Sequence, residues 1–596
     1  MILQELFDYY DVLASDANAK ISPSGFEENS AAYEAVLSEE GDLLSIRSLV
    51  KDKKRKTLVM PQNMKGPSIS ASPVCDNFAY IFGVSGSKGE KQLEEKKWQT
   101  AKDLHEELFG QAQSKEAQAI VKFFDKWDIN EAWDNEQILD NYSETGNAFA
   151  GNVIFRLRGT EHYFHECKEI EDIWLAENQR KDIDAGQEIR QCSITGEFAP
   201  IARLHEKFSG VKGAMSTGAS LVCFKKDSDH SYNLTQLYNA PVSQEAMFKY
   251  STALKHLLSS TEQKMYIGED TVVFWASSND KRYTGIFSNL FEGESTANAL
   301  SKETKADSKT EEIIKSVLQS GQDGLFNEKL NLEGDLDPNT RFCILGLAPN
   351  AGRISVRYFY KDTFGAFCER IKAHYDDIKI VGNKPHIKIR SLLYATVSSK
   401  SRDKKVNPLL GGAVMRSILT GAAYPQLLLN QTIIRTKTET MITHARAAII
   451  KGFLMRKNRI LKKEEQLTMY LNQESKNVAY VLGRTFAILE MIQKKALDQN
   501  INTTIRDKYF STACSNPALV FPNLIKLSQH HLAKIEGIYF DKLLGQCISL
   551  IEGESFPKTM NMEDQGRFIL GYYQQNQKLY EKKDTAAAQI SEEVDE

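Results

Sequence analysis

The side chains best equipped for chemistry in this 596-residue chain form two small groups. The first is His162, His165 and Cys167, with Cys192 further on. Imidazole and thiolate are common zinc ligands, and a metal-dependent nuclease needs acids or histidines that converge on an ion. His-x-x-His-x-Cys is not a standard structural zinc spacing, and packed or hydrogen-bonded side chains explain these residues more simply. The second group is Gly83-Val-Ser-Gly-Ser-Lys88. It hints at a phosphate loop but lacks the GxxxxGK[ST] spacing, and Ser87 stands where a nucleophile elbow needs its last glycine. A surface turn is the simpler reading. His256 and His530-His531 fall in amphipathic helical patterns. Neighbouring acids such as Glu39-Glu40 and Glu464-Glu465 point apart. No catalytic residue, metal or cofactor is therefore expected.

Binding chemistry is more evident. Lys400–Lys463 holds fourteen Lys or Arg against two acids, Asp403 and Glu439, in a chain whose net charge is −4. A local surplus of one sign draws a counter-charge, and phosphate is the commonest one. The alternative is a solvated helical face with soluble counterions. Arg353 and Arg357, four apart, share one face of a regular strand, and Tyr358, Phe359 and Tyr360 follow. Arginine interleaved with aromatic rings suits phosphate contact and base stacking, although a half-buried strand has the same pattern. Near the N-terminus the basic run Lys51–Lys56 leads into Pro61–Pro67 and then Cys75-Asp-Asn77. Asn, Gln and Lys there suit base edges or phosphates, or an ordinary polar connection.

The elements that must position these groups divide the chain. Residues 2–13 read as an amphipathic helix. Tyr33–Ser38 and Leu43–Ile46 read as a hairpin with Gly41 at positive φ. Residues 91–145 carry helical periodicity. Strands are expected at 151–157, 271–276, 341–347 and 354–360. From Asn407 onward helical patterns take over, including Val478–Leu497, with Pro517 and Pro522 punctuating two helices. The fold class is α+β, a mixed α/β N-terminal region followed by an all-α C-terminal helical bundle. The expected divisions are 1–150, a β-rich 151–290, a linker at 291–310, an α+β region at 311–406, the bundle at 407–583 and an acidic disordered tail at 584–596. Eight cysteines without CxxC spacing suit reduced thiols in a cytoplasm. The first residues lack the basic flank of a signal peptide. The uncharged run Ser417–Ile434 is only 18 residues long and contains Pro425 and Asn430, so a buried segment is expected there and no membrane association.

Four passages together resemble one family. They are Cys192-Ser-Ile-Thr-Gly-Glu-Phe-Ala-Pro-Ile-Ala-Arg-Leu-His205 running on to Val222; Tyr238-Asn-Ala-Pro-Val-Ser243 with its helix; Ile344-Leu-Gly-Leu-Ala-Pro-Asn-Ala-Gly-Arg353; and Leu409-Leu-Gly-Gly-Ala-Val-Met-Arg416. They look like the large subunit of the subtype I-C CRISPR Cascade, an RNA-guided surveillance complex, and the similarity extends over nearly the full length. The resemblance implies a subunit without catalysis that inspects the protospacer-adjacent motif in double-stranded DNA. It would help open the duplex, hold the displaced strand and recruit a helicase–nuclease, while base pairing with the guide RNA reads sequence. The implied partners are the guide RNA, target duplex, Cascade backbone subunits, the subunit at the guide 5′ end, a small subunit and the helicase–nuclease. On that basis Asn63, Lys65 and Asn77 are the candidates for motif reading. Arg353, Arg357, Arg416, Arg435, Lys437 and Arg446 are the candidates for the DNA backbone and displaced strand. In such systems the small subunit is thought to start inside the large-subunit gene. Met469, or alternatively Met455, is the expected start here, because codons for Lys463-Glu464-Glu465 can form a purine-rich ribosome-binding run. The competing readings are a metal-dependent nuclease using His162, His165 and nearby acids, and a protein-only helical adaptor.

Overall fold

The hairpin expected around Gly41 forms and seeds the first sheet. In the computed structural model β1 (Phe26–Leu37) runs antiparallel to β2 (Leu43–Ser48), with Gly41 at φ +84°. A Cβ on Gly41 would also sit 2.6 Å from the Phe123 backbone nitrogen, so both the turn and the helix behind it require glycine. The structure describes all residues except 17–20, 22–24, 51–54, 62–68, 88–89, 145–148, 150, 185–187, 225, 293–335, 383–386, 404, 466, 498–502, 536, 552–554 and 582–596. The expected linker at 291–310 and acidic tail at 584–596 thus lie almost wholly outside the described residues.

The chain folds as two units, Met1–Phe208 with Ser220–His256, and Ser209–Ala219 with Leu257–Glu596. In the first, β1 also pairs antiparallel with β3 (Lys56–Pro61) and parallel with β5 (Asn152–Leu157), which pairs with β4 (Cys75–Asn77). A parallel pair needs a long crossover, and here it carries helices α1 (Glu95–Phe109) and α2 (Lys115–Lys126). Their apolar faces, with Trp98, Phe109, Ile120, Phe123 and Phe124, bury Tyr33, Ala35, Val153 and Phe155 of the sheet. The passage expected to be β-rich is mixed instead. Helices Lys168–Asp184, Gln244–Ser259 and Arg282–Glu292 dominate it, and in the first two good helix formers such as Glu, Lys, Ala and Leu outweigh short alternating stretches. Two of the resembling passages meet in this unit. Ser193 N–H donates to Pro241 at 2.8 Å, Ala202 N–H to Val242 at 2.9 Å, and the Cys192 Sγ accepts from the Ser243 N–H at 3.2 Å.

In the second unit, β6 (Lys264–Ile267), β7 (Asp270–Ala276), β8 (Arg341–Asn350) and β9 (Arg353–Thr363) pair antiparallel in chain order. Every residue of β7 is buried. Helix α3 (Pro408–Thr420) lies against this sheet through Gly411 and Gly412: a Cβ on Gly411 would be 3.1 Å from the Ile267 carbonyl, and one on Gly412 would be 3.2 Å from Asp270 Oδ2. Gly346 likewise lies under the Tyr358 ring. Gly411 and Gly412 of one resembling passage are thus explained by close approach of helix to sheet, and Gly346 of another by the ring opposite it on the neighbouring strand.

The core does not break at 407. Phe274, Phe342 and Phe364 belong to the same cluster as Leu410, Ile450, Phe486 and Phe568. The uncharged run Ser417–Ile434 is split, since α3 ends at Gly421 (φ +72°) and α4 (Gln426–Glu439) begins after Pro425. Among the described residues no helix is long and apolar enough to cross a membrane. Helix α5 (His444–Ile460) follows, then α6 (Val478–Ala496), α7 (Ile505–Ser515), α8 (Pro517–Lys534), α9 (Ile538–Ser549) and α10 (Met562–Tyr580). Pro517 opens α8 and Pro522 lies inside it, so the two prolines share one helix. Helices α6 and α10 touch backbone to backbone. A Cβ on Gly483 would collide with the Phe568 carbonyl, and one on Gly571 with that of Tyr480.

Candidate nucleic-acid interface

In the first unit Asn63 and Lys65 lie outside the described residues, whereas Asn77 is well placed. It is the last residue of β4 and stands directly opposite Asn152 on β5. Residues opposed in an antiparallel pair project to the same face. The Asn77 Oδ1 accepts the Ala79 N–H at 3.0 Å and caps the single turn Phe78–Ile81, which leaves the Nδ2 hydrogens to donate elsewhere. Both asparagines line a cavity of about 310 Å³ with Phe78, Ser85, Phe149 and Gly151. Phe149 stacks flat on Phe78, with centroids 4.0 Å apart at 8°. Gly151 has φ +113°, and a Cβ there would approach Ala32 Cβ to 2.6 Å and the Arg55 guanidinium carbon to 3.4 Å. Asn152, Phe149 and Arg55 could not be singled out by local pattern, because only the pairing of β4 with β5 brings them to Asn77.

In the second unit the arginine strand is less regular than expected. Leu347 pairs with Val356 and Gly346 with Tyr358, so Arg357 sits in a bulge without a ladder partner. An extra residue breaks the two-residue alternation, and the shared face expected for Arg353 and Arg357 does not follow. The Arg357 side chain is 43% exposed, with Nε 3.8 Å from Asp270 Oδ1. Burial raises the Asp270 pKa to about 6, with Arg357 pulling the other way. Helix α3 sets the exposed Arg416 close to Tyr360 of β9; burial raises the Tyr360 pKa and the Arg416 charge opposes that rise. Arg416 and the half-buried Arg435 have no ion-pair partner among the described residues.

Two candidates turn inward instead. Arg446 is 3% exposed, and its guanidinium donates to the carbonyls of Ala395 at 3.1 Å and Met441 at 2.9 Å and to Glu439 Oε2 at 2.6 Å. Lys437 Nζ donates to Ser515 Oγ at 2.5 Å and Gln565 Oε1 at 3.0 Å. The expectation that Arg446 faces DNA is corrected on this ground, and Lys437 is likewise engaged within the bundle. Their neighbours follow suit. Arg456 is 1% exposed and binds Asp377 at 2.8 Å, Arg459 binds the same carboxylate at 2.7 Å, and Lys451 donates to the Asp377 carbonyl at 3.0 Å. Lys457 pairs with Glu563. Counting charges inside a sequence window misses these acids, because Asp377 and Glu563 come from outside it. Lys400, Arg402, Lys405, Arg416, Lys462 and Lys463 are exposed.

The residues of the metal reading are not brought together. His162 Nε2 lies 3.0 Å from Glu116 Oε1, His165 is 6% exposed and stacked on Tyr163, and Cys167 and Cys192 are free thiols. Desolvation holds the His165 imidazole down at about pKa 4, so it is neutral at physiological pH. Among the described residues no group of three or more His, Cys, Asp or Glu could hold a metal ion. The glycine-rich Val84–Ser87 is a strand paired with Glu90–Leu93 rather than a free turn.

The arrangement therefore offers amide donors beside an aromatic ring in one unit and exposed guanidinium and ammonium groups in the other. These suit base edges and phosphates. No curated protein matches the chain. The family described as CRISPR-associated protein (Cas_Csd1) matches residues 6–580, nearly the whole length, and the chain belongs to that family.

Proposed function

We propose that this chain is the non-catalytic large subunit of an RNA-guided CRISPR Cascade complex of subtype I-C. It inspects the protospacer-adjacent motif in duplex DNA with its first unit, aids duplex opening, holds the displaced strand with its second and helps recruit the helicase–nuclease. The observation that carries this reading is Arg416, an exposed cation with no ion-pair partner among the described residues, in a chain of a CRISPR-associated family. An exposed guanidinium without an acidic partner suits a backbone phosphate. Motif reading falls to Asn77 in this proposal, with Asn63 and Lys65 earlier in the sequence. The test compares the assembled complex with and without this chain in mobility-shift titrations on motif-bearing duplex. Loss of capture without the chain supports the reading. Normal capture without it, or metal-dependent hydrolysis of DNA by the pure chain, overturns it.

The same reading includes a separate small subunit starting at Met469. Helices α6–α10 pack on one another through Phe486, Phe510, Phe521, Phe568 and Tyr572, which supports a fragment that folds by itself. Arg484 also ties Gln473 to α6 at 2.9 Å. Mass spectrometry of the purified complex should find Met469–Glu596, and synonymous recoding of 462–465 should remove it. A fragment that persists after recoding rejects this start.

A further inference from the structure

The cavity at Asn77 has a composition that narrows what can enter it. Among the described residues its lining carries no charge: two asparagines, one serine, two phenylalanines and small aliphatic positions. Such a wall suits a neutral flat group with polar edges better than an ion. We infer that it receives a single unpaired nucleobase of the opened DNA, lodged against Phe149 and read at its edge by Asn77 and Asn152.

Three features support that occupant. First, Phe149 is held flat on Phe78 at 4.0 Å, with the Tyr142 and Trp133 rings 5.2 and 6.0 Å away, so the ring is fixed in place before anything binds. Stacking on a fixed aromatic ring tolerates any base and is the common way that proteins hold unpaired strands. Second, the two amides are opposed on one sheet face. Asn77 has one lone pair of its oxygen engaged by the Ala79 N–H and keeps both Nδ2 hydrogens for an occupant. The Asn152 amide has no hydrogen-bond partner among the described residues, so it can match either a donor or an acceptor on the base. An acceptor on the base edge that meets Asn77 would take one of those Nδ2 hydrogens. Third, outside the lining itself, the Arg55 guanidinium carbon lies 3.4 Å from where a Cβ on Gly151 would stand, which suits a phosphate attached to the lodged nucleotide. Glycine at 151 and at 86 lets the wall pack closely on its surroundings, since a Cβ would run into Ala32 at the first and into the Tyr142 ring at the second. At about 310 Å³ the cavity falls at the small end of ligand sites, which run from about 300 to 1,000 Å³.

This inference rests on the DNA-binding reading above. A base can enter only where the duplex is already unpaired or is opened by binding, and unstacking it carries a cost that damaged or single-stranded positions avoid. The site therefore belongs at the fork where opening begins.

The experiment uses the assembled complex and duplex targets with 5-iodouracil placed at successive positions in and beside the motif, on either strand. Photo-crosslinking to a stacked ring should yield one dominant position, joined to the peptide that contains Phe149. Replacing Asn152→Asp keeps the side-chain shape and substitutes an anion for the amide. It should weaken capture of that target roughly tenfold and reduce the crosslink. Phe149→Leu should abolish the crosslink. The inference is overturned if the complex captures duplex normally but no position crosslinks to this cavity, or if capture is indifferent to both substitutions. If the complex with this chain captures no duplex at all, the DNA-binding reading itself falls and this inference with it.

Discussion

Helix α5 carries five cations, Arg446, Lys451, Arg456, Lys457 and Arg459, and turns all of them to partners within the second unit. Helix α3 carries one, Arg416, and leaves it in solvent. The two helices belong to the same bundle and the same basic stretch of sequence. The difference is whether an acid from elsewhere arrives. Asp377 supplies α5 with a carboxylate that is itself 1% exposed, and the Arg456 guanidinium is also stacked 4.2 Å over the Tyr424 ring. Charge density along a chain measures how much cation is present. Only the fold decides how much of it a ligand can reach.

The sharpest way to break that comparison is Asp377→Ala. It leaves Arg456 buried without its carboxylate, and a broken buried pair costs about 3–5 kcal/mol. Denaturant unfolding should show the loss, and an unchanged midpoint would mean that α5 does not depend on the pair. Next comes Arg446→Ala, which leaves Glu439 without its strongest donor. Charged hydrogen bonds are worth about 1.5–3 kcal/mol each, so a loss of that order is expected, with no change in the salt slope of DNA binding at a temperature where the variant is folded. Arg416→Ala with Arg435→Ala should do the reverse. Stability should stay within about 0.5 kcal/mol for each substitution. On duplex DNA the slope of log affinity against log salt should flatten by about 0.9 for each phosphate that the variant no longer neutralises. A flattened slope from Arg446→Ala, or an unaltered one from the double variant, would invert the assignment of the two helices.

Arg357 is the intermediate case, a half-exposed cation over a buried acid. Burial of Asp270 raises its pKa from 3.8 to about 6. Between those values the folded state holds a proton that the unfolded state has released, so stability falls as pH rises across the interval and levels off above it. Asp270→Asn should remove that slope. Equal slopes for the two proteins between pH 4 and pH 6 would show that Arg357 already neutralises the acid.

Much of the architecture was legible from local pattern. The Gly41 hairpin, the strands at 152–157 and 270–276 and the amphipathic run of α6 all follow from periodicity and turn residues, which are properties of neighbours in the chain. The interface was less legible. Asn77 was visible as a polar residue in a loop, but Asn152, Phe149 and Arg55 reach it only because a strand returns parallel to β1 after a long crossover. Arg446 had the right residue type in the right stretch and the wrong orientation, because the face that a helix buries depends on what packs against it. The bulge at Arg357 has the same origin, since a ladder slip is a property of two strands.

One consequence follows from the paired glycines where α6 meets α10. With carbonyl oxygens seated where side chains would otherwise stand, the joint has no padding that could be repacked. Any methyl group introduced there acts as a wedge, and helices of 19 residues on both sides amplify a small opening into a large displacement at their tips. Both halves of the joint lie after Met469. A product begun at that codon would inherit the tightest seam of the parent chain intact, while the seams it left behind on α4 and α5 would become newly uncovered surface.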